Sequence, residues 1–221
     1  MMNGNDLLLR DATINDIPFL VETVVEAEKS GTSVLSYTTI FGLEEKDAKK
    51  YIGKMLEEES DGCELSLSSF ILAELGGKIA GAVCAWFEGA EGVPSNILKG
   101  NLLSYTLPPT CLDKASHLKL IINDLHIECI PGTIQIGLVY VAPEARGKRL
   151  VHILLNNIIG RLQTKYADAK EAYIQVFGNN VPAIRSYEQS GFKMISIKDA
   201  SMDKTSKYLP DASKILMRKL L

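Results

Sequence analysis

Within the twenty residues from Val139 to Ile158, VYVAPEARGKRLVHILLNNI, the chain passes from a β-rich apolar run, through Pro143, across a basic loop and into an amphipathic segment. A strand that hands over so quickly to a helix limits the architectures open to it, because the helix must cover a face of the strand's own sheet. The joint also has a chemistry. The first amides of a helix lack intrahelical partners and carry partial positive charge, so an anion is stabilised there on two counts. Gly147 allows a tight loop whose amides can converge, and Arg146, Lys148 and Arg149 add full charges. Such a loop suits a pyrophosphate; a solvated basic turn is the plainer alternative. Neither G-x-x-x-x-G-K-[ST] nor G-x-G-x-x-G occurs, so those two kinds of nucleotide site have no support.

The flanking sequence supplies the frame. Leu7 to Ala12 predicts a first strand, and Asp16-Ile17-Pro18 the start of a helix that ends at Gly31. Asp16 is its expected N-cap, with Pro18 in the first turn and Phe19, Leu20, Val24 and Ala27 on the apolar face. A second helix is expected over Glu44–Glu59. Strands over Ser69–Leu75 and Lys78–Phe87 flank Gly76-Gly77, a two-residue hairpin signal. From Glu88 to Gly132 the pattern loosens around Pro108-Pro109. This stretch reads as a loop-and-helix insertion in one domain spanning 1–221, since about forty-five residues seldom build a core alone. Strands over Ile134–Val141, Ala172–Val176 and Lys193–Lys198, then SKILMRKLL, complete an α/β (α+β) pattern: a mixed sheet with helices on both faces.

Composition excludes some classes. A formal net charge of −3 gives no general attraction to nucleic acid or an anionic membrane. Any basic site must be local. No run of eighteen apolar residues exists, and the first residues lack the order of a signal peptide, so a cytoplasmic protein is expected. Cys63, Cys84, Cys111 and Cys129 are widely spaced and read as free thiols rather than a disulfide framework. No metal-ligand spacing appears.

A second segment, NNVPAIRSYEQSGFK from Asn179 to Lys193, gives the joint its context. With it the chain resembles the GNAT superfamily of N-acetyltransferases. That family's loop, Gln/Arg-x-x-Gly-x-Gly/Ala after V-x-P, is echoed by Val141, Pro143 and Arg146. Its later motif, Asn-x-x-Ala-x-x-x-Tyr-x-x-x-Gly-Phe, is matched by Asn180, Ala183, Tyr187, Gly191 and Phe192. Arg10, Ala12 and Asp16 also stand where the family's first strand and helix have them. Arg149 and Val151 depart from the pattern, standing where Gly and Gly or Ala are usual.

The resemblance implies a mostly antiparallel twisted sheet of the GNAT fold and acetyl-CoA as donor. It implies that the strand before the loop and the next one part, with the donor's arm in the gap along Leu138, Val139, Tyr140 and Val141. Arg146, Gly147, Lys148, Arg149, Leu150 and Val151 would hold the diphosphate, and Asn180 and Ala183 the neighbouring arm. Tyr187 would donate to the departing thiolate; packing on its short helix is the plain reading. Asn180 is also the expected N-cap of that helix, and Gly191 its left-handed end, delivering Phe192 to the core.

An acceptor ammonium, with a pKa near 10.4, must lose a proton before attack. Candidate bases are Glu28, Glu88 and His126, with Asp124 and Glu128, which alternate with Leu125 and Ile127 as one face of a strand would. Each is otherwise a solvated charge. His152 reads as surface. Tyr37 and Phe41, between the first two helices, and Tyr105 in the insertion could line an acceptor pocket or pack the core. The insertion could instead form a homodimer contact. The leading expectation is transfer of acetyl to a primary amine of a small molecule or peptide, with no nucleic-acid or membrane partner. The alternatives are a non-catalytic acyl-CoA-binding protein, encouraged by Val151, and a nucleic-acid binder using RGKR, which negative charge disfavours.

Overall fold

The structure is a computed structural model, and it describes residues 7–58, 60–90 and 92–221. Strand β1 (Leu7–Asp11) pairs antiparallel with β2 (Phe70–Leu75), which turns into β3 (Lys78–Phe87). At the turn Gly76 and Gly77 have φ of 58° and 80°, the two left-handed residues a type I′ hairpin requires. β4 (Ile134–Val141) adds antiparallel to β3, and β5 (Glu171–Phe177) lies parallel to β4. The chain then makes β6 (Lys193–Asp199) at the edge before β7 (Ser213–Leu220) fills the place between β5 and β6. The resulting seven-stranded order is β1-β2-β3-β4-β5-β7-β6, mixed and mostly antiparallel.

Alternation along β3 assigns its two faces, as a period of two demands. Ala82, Cys84 and Trp86 share one buried cluster with Leu20 and Val24 of α1 (Ile17–Lys29) and Ile52 and Met55 of α3 (Glu45–Glu57). The intervening Val83 and Ala85 pack with Leu154, Leu155 and Ile158 of α7 (Leu150–Lys165), and Phe192, just after α8 (Val181–Gln189), joins them. The expected helix over Glu44–Glu59 is α3; Glu59 lies outside the described residues. A short helix not anticipated, α2 (Ser36–Phe41), separates α1 from α3.

Asp16 does not cap α1. Its backbone is already helical and its side chain makes no cap bond to α1. The carboxylate turns back instead. It accepts from the Thr13 amide and hydroxyl, both at 2.8 Å, and from two Arg10 nitrogens at 2.7 and 2.8 Å.

The insertion forms α4 (Ser95–Thr106), α5 (Pro109–His117) and α6 (Lys119–Asp124). The strand face expected for Asp124, His126 and Glu128 is corrected here, because 126–130 pairs with no strand. Its carbonyls go to side chains: Gln175 Nε2 donates to Ile127 at 3.0 Å and Lys198 Nζ to His126 at 2.7 Å. The alternation survives in part as burial, with Leu125 inside and Asp124 and Glu128 outward, while His126 borders the cavity. Beyond it, α9 (Met202–Thr205) precedes β7. No helix among the described residues is long and apolar enough to cross a membrane.

Two irregularities in β4 create an opening. Val83 faces Val139 while Ala85 faces Ile136, so β4 spends one residue more than β3 over the same span. This bulge reverses the phase of the strand: Ile134 and Ile136 pack on the α7 side, Leu138 on the α1 side. Gly137 sits within it, where a Cβ would lie 2.8 Å from the Trp86 ring, so no side chain fits. On its other edge β4 pairs with β5 through Ile134–Ala172, Gln135–Tyr173 and Ile136–Ile174 alone. From there to Val141 and Phe177 the two strands run without pairing.

Candidate functional site

A cavity of about 1540 Å³ follows this gap from the start of α7 to the walls formed by α1, α2 and α4. Leu138, Val139, Tyr140 and Val141 line it along β4; Arg146, Gly147, Arg149, Leu150 and Val151 line its mouth; Asn180, Ala183 and Tyr187 line it from α8. Lys148 is exposed and Glu88 is buried, and neither faces the cavity.

At the mouth, the loop geometry follows from two left-handed residues, Gly147 at φ 78° and Arg149 at φ 59°. They flank Lys148, and left-handed residues of this kind are what anion-binding nests of backbone amides are built from. Among the described residues, no amide from Gly147 to Val151 donates to a protein acceptor. Arg149 holds without a glycine's freedom the conformation that glycine adopts freely, at a cost of about 1 kcal/mol. Its side chain and that of Arg146 are exposed, leaving their charges at the opening, while the exposed Lys148 lies outside it. Val151 is half-buried against the α7-side core, and its amide stays unpaired.

Farther in, Asn180 caps α8 by accepting the Ala183 amide at 3.3 Å and donates its own amide to Ser30 Oγ at 3.0 Å. Gly191, at φ 92°, closes the same helix in a left-handed cap that sends the Phe192 amide back to Tyr187 O at 3.0 Å. Tyr187 is 7% exposed, and burial raises its phenol above the ordinary range. Its ring stands edge-on to Phe192, and its hydroxyl makes no hydrogen bond among the described residues.

The inner chamber holds charges that were not anticipated. Glu64, from the segment before β2, ion-pairs with Lys99 of α4. Burial disfavours both charges, yet their mutual attraction leaves the Glu64 carboxyl below its usual range and the Lys99 ammonium well above. Lys214 of β7 stands with them, its Nζ 5.6 Å from the centre of the Phe177 ring. Burial pushes its pKa down, with Glu28 and Glu64 opposing and Lys99 adding to the fall. Tyr37 is 3% exposed, and its hydroxyl has no partner.

Of the proposed bases, Glu28 lines the chamber and accepts from Ser36 Oγ at 2.5 Å. His126 also reaches it, its imidazole lowered by burial and by the charge of Lys214. Glu88 is a correction. Its carboxylate is fully engaged, taking Trp86 Nε1 at 2.8 Å and the Ser95 amide at 2.9 Å, so it fixes the start of α4 rather than meeting a substrate. Asp124 and Glu128 point to solvent, away from the cavity. His152 is exposed, bonded to Asn156 at 2.9 Å, yet it lines the cavity mouth.

Comparison with known proteins identifies the family and the fold. A sequence model described as "Acetyltransferase (GNAT) family" matches residues 37–192. Among curated proteins none matches significantly. The fold is similar to that of an N-acetyltransferase from Staphylococcus aureus Mu50, at 12% identity and a TM-score of 0.66, covering 96% of this chain and 99% of that one. It is similar to the polyamine N-acetyltransferase of Drosophila melanogaster, which forms N-acetylagmatine, at 14% and 0.61, covering 98% and 100%. A ribosomal-protein-alanine N-acetyltransferase from Brucella melitensis gives 16% and 0.55, covering 97% and 99%. At such identities the likeness is one of fold.

Proposed function

The chain belongs to the acetyltransferase (GNAT) family, and from that premise we propose that it moves an acetyl group directly from acetyl-CoA to a primary amine. The observation that carries the reading is the unpaired stretch between β4 and β5, which leads from the free amides at Gly147–Val151 to a chamber with a carboxylate in its wall. The diphosphate of the donor fits the amides and the charges of Arg146 and Arg149. Its arm fits along β4, where, among the described residues, 137–141 has no strand paired on that edge and only the Val141 carbonyl is taken, by Arg146 Nε at 3.3 Å. Holding a donor there needs no residue from outside the chain.

The chemistry then falls to few groups. Glu28, paired with no cation among the described residues, takes the first proton from the acceptor ammonium. His126, kept neutral by its surroundings, is the other group able to do so. The freed amine attacks the thioester carbonyl, and a β4 amide stabilises the oxygen as it gains charge. The carbon–nitrogen bond forms, the carbon–sulfur bond breaks, nitrogen sheds its second proton, and the thiolate takes one up. No acyl-enzyme intervenes, and the buried cysteines have no part.

Tyr187 acts on the thiolate as a hydrogen-bond donor rather than a full acid. A phenol near pKa 10 is already a weaker acid than an alkyl thiol near 8.5, and burial widens the gap, so complete transfer would run uphill by about 2 kcal/mol or more. A hydrogen bond to developing charge carries no such cost. Val151, whose departure from the family pattern favoured a non-catalytic protein, packs against the α7-side core and leaves its amide free. We read the insertion as part of the same unit, a reading supported by α4 contributing Lys99 to the chamber wall. The acceptors of the neighbours, agmatine in one and a ribosomal-protein alanine in another, differ too much for the fold to choose among them.

Calorimetry with coenzyme A tests the reading. Binding is expected, with Arg146→Ala weakening it about 10- to 100-fold, as loss of a charge-assisted hydrogen bond would. Absence of heat in the unaltered protein, or unchanged affinity in the variant together with no thiol release from acetyl-CoA and amines, overturns it.

A further inference from the structure

The cavity beyond the gap is lined by Glu28, Glu64, Lys99 and Lys214, and by Glu26, which ion-pairs with Lys29, and these charges are not equivalent. Glu64 and Lys99 satisfy one another in an ion pair. Glu28 and Lys214 do not: both line the cavity, and they form no ion pair with each other or with any described residue. Glu28 takes a hydrogen bond from Ser36, while the Lys214 ammonium touches nothing more polar than the Phe177 ring. Each nonetheless lies in the other's field, for Glu28 is foremost among the charges that favour protonated Lys214. An unpaired acid and an unpaired base thus share one enclosed space.

Isolated charges in a partly dry wall are costly unless something neutralises them. A ligand with one cationic and one anionic end removes both costs together, exchanging one long attraction for two close ones. Tyr37 adds to Lys214 a second sign of an absent acceptor atom, since its buried hydroxyl has no oxygen to donate to. A simple alkylamine would satisfy Glu28 and leave Lys214 bare. A diamine would bring its second cation toward Lys214 and Lys99, where like charge repels it.

From this arrangement we propose that the acceptor is a small amino acid, its ammonium held by Glu28 and its carboxylate by Lys214 with help from Tyr37. The proposal rests on the acetyltransferase reading above and names the substrate class of the same site. The ammonium is the end that is acetylated. The carboxylate positions it, so Lys214 sets specificity without touching the reacting atoms.

The test is a panel run by thiol release from acetyl-CoA. It contains glycine, β-alanine, 4-aminobutyrate and 6-aminohexanoate, each beside its carboxamide, together with 1,4-diaminobutane and propylamine. At least one amino acid is expected to exceed its own carboxamide and the diamine by about tenfold or more in kcat/KM, the factor one charge-assisted contact supplies. The best chain length reads out the Glu28–Lys214 spacing. Lys214→Met should raise KM for that amino acid by a similar factor and erase its advantage over the carboxamide, while coenzyme A binding by calorimetry stays unchanged. Lys214→Arg should keep the advantage, which separates loss of charge from loss of folding. Carboxamides or diamine equal to the amino acids overturn the proposal, as does a preference that survives Lys214→Met. Turnover of some other amine with normal coenzyme A binding sinks the acceptor class alone; no coenzyme A binding sinks the acetyltransferase reading instead.

Discussion

The side-chain amide of Asn180 donates to Ser30 Oγ at 3.0 Å, joining the end of α1 to the start of α8 across 150 residues of chain. Ser30 is itself left-handed, at φ 50°, and buried, so the hydroxyl is held in place by the turn that ends α1. Asn180 therefore does two jobs, since its oxygen also caps α8. The two can be separated. Asn180→Ala removes both and should cost about 1–2 kcal/mol in urea unfolding. Asn180→Asp keeps the cap and loses only the donor, so it should cost less than Asn180→Ala. Equal losses in the two variants would mean that the cap contributes nothing.

Arg149 offers a test of backbone strain. Its φ of 59° suits glycine, so Arg149→Gly should relieve about 1 kcal/mol in the folded state, roughly offset by the freer unfolded chain. Near-neutral stability is expected. Arg149→Val should be worse by 1 kcal/mol or more, because a branched Cβ resists the left-handed region. Denaturant midpoints for the pair decide it, and a tolerated valine would show that the loop relaxes out of this conformation.

Asp16 governs acid stability. Hydrogen bonds from Arg10 lead the forces that hold its carboxyl well below the usual range, against the effect of burial. A depressed folded pKa contributes stability above the unfolded value of about 3.9, lost as pH falls through the folded one. The unaltered protein should therefore lose stability progressively below about pH 4. Asp16→Asn should lose about 1.5–3 kcal/mol at pH 7 and show a flatter acid limb. Parallel pH profiles for the two proteins would remove this role from Asp16.

Tyr187→Phe should cut turnover about 10²-fold, the low end for acid–base groups, because the phenol supplies a hydrogen bond and not a proton. Coenzyme A affinity and thermal midpoint should hold, as the ring packs on Phe192 either way. Unchanged kcat in this variant would leave the thiolate to solvent.

These outcomes bear on what the sequence makes legible. Gly76-Gly77 and Gly191 act through their own backbone angles and Asn180 through a cap bond three residues away. These local signals survive into the fold, whereas the cap expected of Asp16 is lost to Arg10 and Thr13. The basic loop is equally local, since Arg146 to Arg149 are consecutive. The chamber is not. Glu64 comes from a coil, Lys99 from the insertion and Lys214 from the last strand, and their meeting depends on β7 entering between β5 and β6. Glu88 misled for a related reason: a carboxylate after a strand looks available until its partners, the Trp86 indole and an amide seven residues on, are seen. Helix α2 escaped because Thr38, Thr39 and Ile40 are poor helix formers. A distant contact holds it, Thr39 Oγ1 donating to Tyr208 O at 2.6 Å.

The narrow join between β4 and β5 also has a mechanical meaning. Three residue pairs are the whole backbone seam between a four-strand slab and a three-strand slab. A guest lying in the cleft beyond the seam acts as a splint, bonding to both margins where the protein does not bond to itself. Docking should therefore slow hydrogen exchange along Leu138–Val141 and Ile174–Phe177, and make the two slabs rock as one plate.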